Sequence, residues 1–335
     1  MAAVDSEVSK EGFLTQDPAM LSLLQMVAKI APSEVTILIQ GESGTGKEVI
    51  AKRIHDQSRR KNKTLISINC GAIQETLLLS ELFGHEKGSF TGAVNQKKGL
   101  VELASEGSLF LDEIGEMGLE AQAKLLRFLQ EGEIYRVGGK APIKVNVRII
   151  SATNKDLETQ VKNGKFREDL YYRLNTVTLR ISPLRKRSCD IPLLFNRFLN
   201  DEKLGPKKTL SPRAMEVLKQ YAWPGNVREL QNTAERFKIL VDGDVIQEED
   251  IPFNVKNQEP ETETDYFDEP SSFLLHNIEK RHIVRVLSYF KGNKTKAADA
   301  MGITVKTLYN KLAQYEKERS TANLSSSFDD INASV

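Results

Sequence analysis

Residues 41–48 run Gly41-Glu42-Ser43-Gly44-Thr45-Gly46-Lys47-Glu48. A glycine-rich turn ending in lysine can fold its backbone N–H groups around phosphates, with the ammonium reaching the β and γ groups. The general pattern places Ser or Thr after the lysine, where the hydroxyl holds Mg²⁺. Glu48 stands there instead. The stretch is either a chance turn or a nucleotide site that holds its metal by other means. A second stretch, GSLFLDEIGEM (107–117), decides between them: an apolar run ends in adjacent carboxylates. Asp112 suits Mg²⁺, directly or through water, and Glu113 suits polarising an attacking water. Together the stretches predict nucleoside triphosphate hydrolysis. Asp112 is expected to anchor the metal, with Glu48 acting through water or Thr45 helping.

These groups need a scaffold, and the flanking pattern supplies one. VTILIQ (35–40) leads into the glycine turn and EVIAKRIHDQS follows it with helical spacing. Further β-type runs are TLISIN (64–69), GSLFLDE (107–113), VNVRIISATN (145–154) and VTLRI (177–181). Strands alternating with helical patterns predict a mostly parallel α/β sheet over residues 13–183. Residues 184–254 are helical in pattern. The segment 257–272 holds six acidic residues and no basic one, so 255–272 reads as a linker. Residues 1–12 and 320–335 read as polar or disordered tails.

Residues 291–316, KGNKTKAADAMGITVKTLYNKLAQYE, read as a helix-turn-helix within a domain spanning 273–319. Thr295 is expected to cap the first helix and Thr304 the second. Gly302 supplies a positive φ in the turn. Ala297 and Ala298 allow close crossing; Ile303, Leu308 and Leu312 are expected in the core. The second helix offers Thr304, Val305, Lys306, Thr307, Tyr309, Asn310 and Lys311 to a DNA groove. Seven Lys/Arg against three Asp/Glu over 291–319 favour phosphate contact. The apolar helical spacing of 273–290 suits dimer packing.

The remaining bulk properties exclude other classes. The chain has 335 residues and formal net charge +1, so any attraction to nucleic acid is local. No apolar signal core or membrane-length run is present. The two cysteines, Cys70 and Cys189, lack metal-ligand spacing and predict reduced thiols in a cytoplasmic protein.

With these residues in view, the chain from about 13 to 316 resembles the bacterial enhancer-binding proteins, AAA+ activators of sigma-54 RNA polymerase. GESGTGKE, with Glu after Lys, is similar to that family's own loop. ELFGHEKGSFTGA (81–93) holds Gly88, Ser89, Phe90, Thr91, Gly92 and Ala93, resembling the family's GAFTGA loop with Ser89 in place of Ala. The resemblance implies that this loop touches sigma-54. It also implies an AAA+ P-loop parallel sheet, a helical lid subdomain and a small all-α Fis-type helix-turn-helix domain.

By the same resemblance Asn69 is the switch asparagine restraining Glu113. Thr153 and Asn154 form the first sensor, with Asn154 reading the γ-phosphate. Arg167 and Arg173 in GKFREDLYYRL match paired arginine fingers that act on a neighbouring subunit's nucleotide, which implies an oligomer. Arg228 in WPGNVREL matches the second sensor and would reach the ATP from the lid. PLRKRSCDI (183–191) carries Lys186 where the family has Glu, and EGEIYRVGG (131–139) resembles the second pore-side loop.

The expected activity is ATP hydrolysis by a ring, dimer to hexamer, that is bound to upstream enhancer DNA. The ring converts the closed sigma-54 polymerase complex to an open one. Three other readings are a DNA-bound regulator independent of sigma-54, a generic AAA+ unfoldase and an inactive scaffold. The near-intact loop at 88–93, the helix-turn-helix and the retained Lys47, Asp112 and Glu113 weigh against them in turn. About a dozen residues precede the ATPase pattern, so control in trans by a regulatory protein and a shortened chain both stay open. A complete chain of this kind is expected to be active unless something holds it down.

Overall fold

The computed structural model describes residues 12–90, 93–201, 207–251 and 293–312, with a few positions between 279 and 290. The expected tails and linker, Thr91, Gly92 and most of 273–290 lie outside the described residues. The chain divides into units Met1–Gln258 and Glu259–Val335.

In the first unit Asp17 caps α1 (Pro18–Ile30), its carboxylate accepting from the Met20 N–H, with Pro18 at the first helical position. β1 (Ile37–Gln40) then runs into the glycine turn and α2 (Lys47–Asp56). β2 (Leu65–Asn69) precedes α3 (Glu75–Phe83), the short pair β3 (Gly84–His85) and β4 (Lys97–Lys98), and α4 (Leu100–Leu103). β5 (Ser108–Asp112) carries the paired carboxylates and leads to α5 (Leu119–Glu131) and the pair β6 (Glu133–Ile134) and β7 (Ile143–Lys144). β8 (Arg148–Thr153), α6 (Leu157–Lys162), α7 (Glu168–Leu174) and β9 (Val177–Arg180) complete the α/β part.

The main sheet has five strands in the order β2-β5-β8-β1-β9, every pair parallel. Each expected β-run supplies one of them. Alternation along the strands splits the core into two layers. Ile37, Ile39, Phe110, Ile150 and Ala152 pack with α1 and α2. Leu38, Leu109, Leu111 and Ile149 pack with α3, α5 and α7. β1 and β5 therefore flank β8 as parallel strands, which brings the glycine turn and Asp112 to one rim of the sheet.

The helical part comprises α8 (Asp190–Leu199), α9 (Pro212–Gln220) and α10 (Asn226–Leu240), with the short pair β10 (Thr209–Leu210) and β11 (Val245–Ile246). Its core centres on Trp223, Phe195 and Phe237. In the second unit α11 (Lys294–Ala300) is followed by a turn at Gly302 (φ 66°) and a helix over 305–312. Ala297, Ala298 and Leu308 are fully buried, with Ile303 and Leu312 packed against them.

Candidate nucleotide site and its attached surfaces

Gly44 (φ 75°) and Gly46 (φ 102°) give the turn after β1 a left-handed path that a side chain disfavours. Lys47 is buried, and its ammonium donates to the Gly41 carbonyl at 3.0 Å and the Glu42 carbonyl at 3.3 Å. The same Nζ lies 3.5 Å from Glu113 Oε1. Glu113 follows β5 with φ 52°, a left-handed conformation unusual for a non-glycine residue. Its other oxygen accepts from the Asn154 N–H at 3.3 Å. The loop lysine, the second carboxylate and the end of β8 thus meet at one point, as the strand order requires.

Asp112 is half-buried, and its carboxyl is pushed above the usual range by burial and then by the charge of Glu113, with Glu48 adding to the effect. Glu48 is exposed in the first turn of α2. Thr45 is fully buried, and its hydroxyl donates to the Glu42 carbonyl at 2.8 Å, so it braces the loop interior. The Asn69 side chain accepts from the Gly71 and Ala72 N–H groups and, among the described residues, makes no hydrogen bond to Glu113. Cys70, beside these carboxylates, has its thiol pushed up to about 12 by burial and by Asp112 and Glu113. A cleft of about 480 Å³ opens next to the loop, lined in part by Gln40, Gly41, Thr153, Asn154 and Arg180.

The lid closes on the loop from the other side. Arg228 donates to the Ser43 hydroxyl at 3.0 Å, and the Val227 N–H donates to the Gly44 carbonyl at 3.0 Å. Sequence patterns missed the residues that make this closure. Asn226 is fully buried at φ 52°; its amide donates to Glu42 and to the Ser43 carbonyl, and its oxygen accepts from the Leu184 N–H. Arg185 holds Glu42 with paired bonds of 2.6 and 2.8 Å. The Arg185 bond keeps the Glu42 carboxyl below the usual range, opposed by burial and helped by Asn226. Buried Arg187 donates to the Thr45 carbonyl at 2.9 Å and lies 3.6 Å from Asp190. Pro224-Gly225-Asn226 was the one available signal, since Asn tolerates a left-handed turn. Lys186 is exposed and lies close enough for its charge to favour ionised Glu42.

Arg167 caps the start of α7 and Arg173 lies in its last turn, and both make local contacts. Arg167 pairs with Asp169 at 2.7 Å, and Arg173 donates to the Leu129 carbonyl at 2.8 Å. Neither joins Lys47 or Glu113 within the chain.

The loop between β3 and β4 stands on a braced base. Gly88 N–H donates to the Ala93 carbonyl at 2.8 Å, and Phe90 stays 41% exposed with its ring edge-on to His85. Ser89 packs on Gly138 of the second loop: a Cβ added at Gly138 would lie 2.7 Å from that of Ser89. The Ser89 hydroxyl is buried and, among the described residues, has no hydrogen-bond partner. Arg136 of the second loop pairs with Glu86 at 3.0 Å and with Glu102 at 2.8 Å, tying both loops to α4.

In the second unit the cap of α11 is Asn293, whose side chain accepts from the Lys296 N–H, in place of the expected Thr295. Asn outranks Thr as a cap, and Asn293 sits two residues earlier. Thr304 caps the second helix as expected, accepting from the Thr307 N–H at 3.1 Å. Thr304, Lys306, Tyr309 and Asn310 are exposed and Thr307 is half-buried. Val305 departs from the expected groove face and packs against the Ala297–Leu308 core. Lys311 is drawn to Glu279 at 2.6 Å.

Sheet, glycine loop, paired carboxylates and a lid that grips the loop define an AAA+ ATPase. Comparison with known proteins gives the same class and narrows it. Residues 13–180 match the Sigma-54 interaction domain, 185–266 the AAA+ ATPase lid domain and 274–315 the Bacterial regulatory protein, Fis family. Regulatory protein AtoC of Escherichia coli (strain K12) is 48% identical over 309 residues, covering 90% of this chain and 67% of that protein. DNA-binding transcriptional regulator NtrC of Azospirillum brasilense is 43% identical over 326 residues, covering 89% and 68%. A crystal structure of NtrX from Brucella abortus in complex with ATP superposes with TM-score 0.68 at 33% identity, covering 92% of this chain and 70% of that one. The chain belongs to the sigma-54-dependent transcriptional activators, nucleotide-binding AAA+ ATPases that carry a Fis-type helix-turn-helix domain.

Proposed function

We propose that ATP binds in the loop 41–48 and is hydrolysed there to drive opening of a sigma-54 polymerase complex. The observation that carries this reading is the meeting of Lys47 and Glu113 at 3.5 Å beneath a lid whose Arg228 reaches Ser43. Gly44, Gly46 and the α2 N-terminus cradle the phosphates, with Gly41 closing the loop. Lys47 exchanges its carbonyl partners for β and γ oxygens. Glu113 orients the attacking water and takes up its proton, and Asn154 lies one residue beyond the strand end to read the γ-phosphate.

Mg²⁺ fits the donors present. Asp112 carries a carboxyl raised by burial and neighbouring negative charge, the condition a divalent cation relieves. Among the described residues no group of three or more His, Cys, Asp or Glu side chains could hold a metal alone. An ion of this kind is bound by one or two carboxylates together with phosphate oxygens and water. When bound, it would neutralise charge on the β and γ oxygens.

Assembly and partners extend the reading. Arg167 and Arg173 act on a neighbouring subunit's nucleotide in a ring, of which a hexamer is the expected form. Phe90, with Thr91, contacts sigma-54, and Lys306, Tyr309 and Asn310 face upstream DNA. The partners imply a cytoplasmic setting, and a regulatory protein acting in trans is a further expected partner. No described helix is long and apolar enough to cross a membrane.

The test is open-complex formation on a sigma-54 promoter with purified polymerase, comparing ATP with a non-hydrolysable analogue. Opening with ATP alone supports the reading. Hydrolysis without opening would overturn the sigma-54 role assigned to the loop with Ser89.

A further inference from the structure

The segment leading into the ATPase touches the nucleotide loop directly. The Phe13 ring covers Gly46: a Cβ added there would lie 3.1 Å from Phe13 Cε2. The Arg187 guanidinium lies over the same ring, 5.2 Å from its centroid. Two residues on, the Thr15 hydroxyl donates to Asp190 Oδ2 at 2.7 Å and the Gln16 N–H donates to Asp190 Oδ1 at 2.7 Å. The Gln16 side chain donates to the Cys189 carbonyl. Leu14 packs into the lid core while Phe13 packs into the sheet core.

Asp190 and Arg187 are both fully buried, and Arg187 donates onward to the Thr45 carbonyl. A buried ion pair costs free energy unless its remaining hydrogen-bonding positions are filled. Here the Asp190 oxygens are filled by the leading segment and an Arg187 nitrogen by the nucleotide loop. The pair is thus oriented from one side by residues 15–16 and fixes the loop on the other.

We propose that Phe13–Gln16 is a strap that sets the nucleotide loop through Arg187 and Asp190, so that movement of the chain ahead of residue 13 changes nucleotide affinity. Arg187 and Asp190 are positioning residues; neither is needed for the chemistry itself. The inference rests on the assignment of ATP to the loop at 41–48. A pull on residues 13–16 removes the Asp190 partners, frees Arg187 and releases the Thr45 carbonyl together with the cover on Gly46.

The test uses the full chain with Thr15→Val, which removes one donor at nearly constant shape, Thr15→Ser, which restores it, and Lys47→Ala as a control on the loop. Thr15→Val is expected to raise KM for ATP about threefold or more with kcat nearly unchanged. Its thermal midpoint should stay within about 2 °C of the parent. Thr15→Ser should return KM to the parent value. Parental KM in Thr15→Val, with ATP binding lost in Lys47→Ala, would overturn the strap alone. Unimpaired ATP binding in Lys47→Ala would overturn the loop assignment and the strap with it.

Discussion

At the scale of single residues, Lys47, Asp112 and Glu113 are charged groups held by geometry for separable tasks. Glu113→Gln keeps the shape and the Asn154 contact but removes the basic oxygen, so hydrolysis should fall about 10²–10⁴-fold while ATP binding persists. Single-turnover hydrolysis beside equilibrium ATP binding checks this; parallel loss of both would reassign Glu113 to binding. Glu42 carries a different role, joining the loop to the lid through Arg185 and Asn226. Its carboxyl is depressed in the folded state by Arg185, so the folded chain binds fewer protons than the unfolded one across that interval. The Glu42 clamp therefore contributes above the ordinary carboxylate value and is lost as pH falls through the depressed value. Glu42→Gln should lower stability near neutrality by about 1 kcal/mol or less for so exposed a pair, read as a lower thermal midpoint. The difference from the parent should shrink as pH falls below the carboxylate range, and a gap that widens in acid would contradict the clamp.

At the scale of elements, the contacts between loops carry the constraint. A Cβ on Gly44 would lie 2.3 Å from the Gly225 carbonyl at φ +75°, so Gly44→Ala forces lid and loop apart. Left-handed strain alone costs about 1–2 kcal/mol, and both ATP affinity and thermal midpoint should drop. Ser89→Ala removes a buried hydroxyl that has no partner among the described residues, so stability should hold or rise by up to about 1 kcal/mol. Lost stability on that change, read by denaturant unfolding, would show that the hydroxyl has a partner. In the second unit Lys306→Ala should weaken DNA binding across all sequences and reduce the salt slope by about 1. The five sheet strands, the glycine loop and the paired carboxylates were legible because each is a contiguous string whose chemistry needs neighbours in sequence. The lid closure was not: Asn226 meets Glu42, and Arg187 meets Thr45, across 184 and 142 positions. The cap at Asn293 rather than Thr295 has a local cause, since both are short polar residues and they lie two positions apart. Val305 falls on the core side, since the faces of so short a helix are fixed only once the partner helix is placed.

At the scale of the whole molecule, the finger role proposed for Arg167 and Arg173 needs a neighbouring chain. The Arg167 side chain is 43% exposed and, among the described residues, pairs with Asp169, two residues away. Arg173 rests on the Leu129 carbonyl at the end of α5. Such contacts are weak enough to exchange for a phosphate, and none of them leads to Lys47 or Glu113 in the same chain. A site that needs a neighbour's arginine is silent in the monomer, so ATP hydrolysis per chain should rise steeply with protein concentration. Arg167→Ala and Lys47→Ala should each lose most activity, with a finger worth about 10³–10⁵ in rate. Mixing the two inactive chains places an intact loop from one beside an intact arginine from the other. Partial recovery on mixing, absent for either chain alone at the same total concentration, is the expected result. No recovery, with assembly of the mixed chains confirmed by size, would move Arg167 from catalysis to structure and leave Arg173 as the finger to test in the same way.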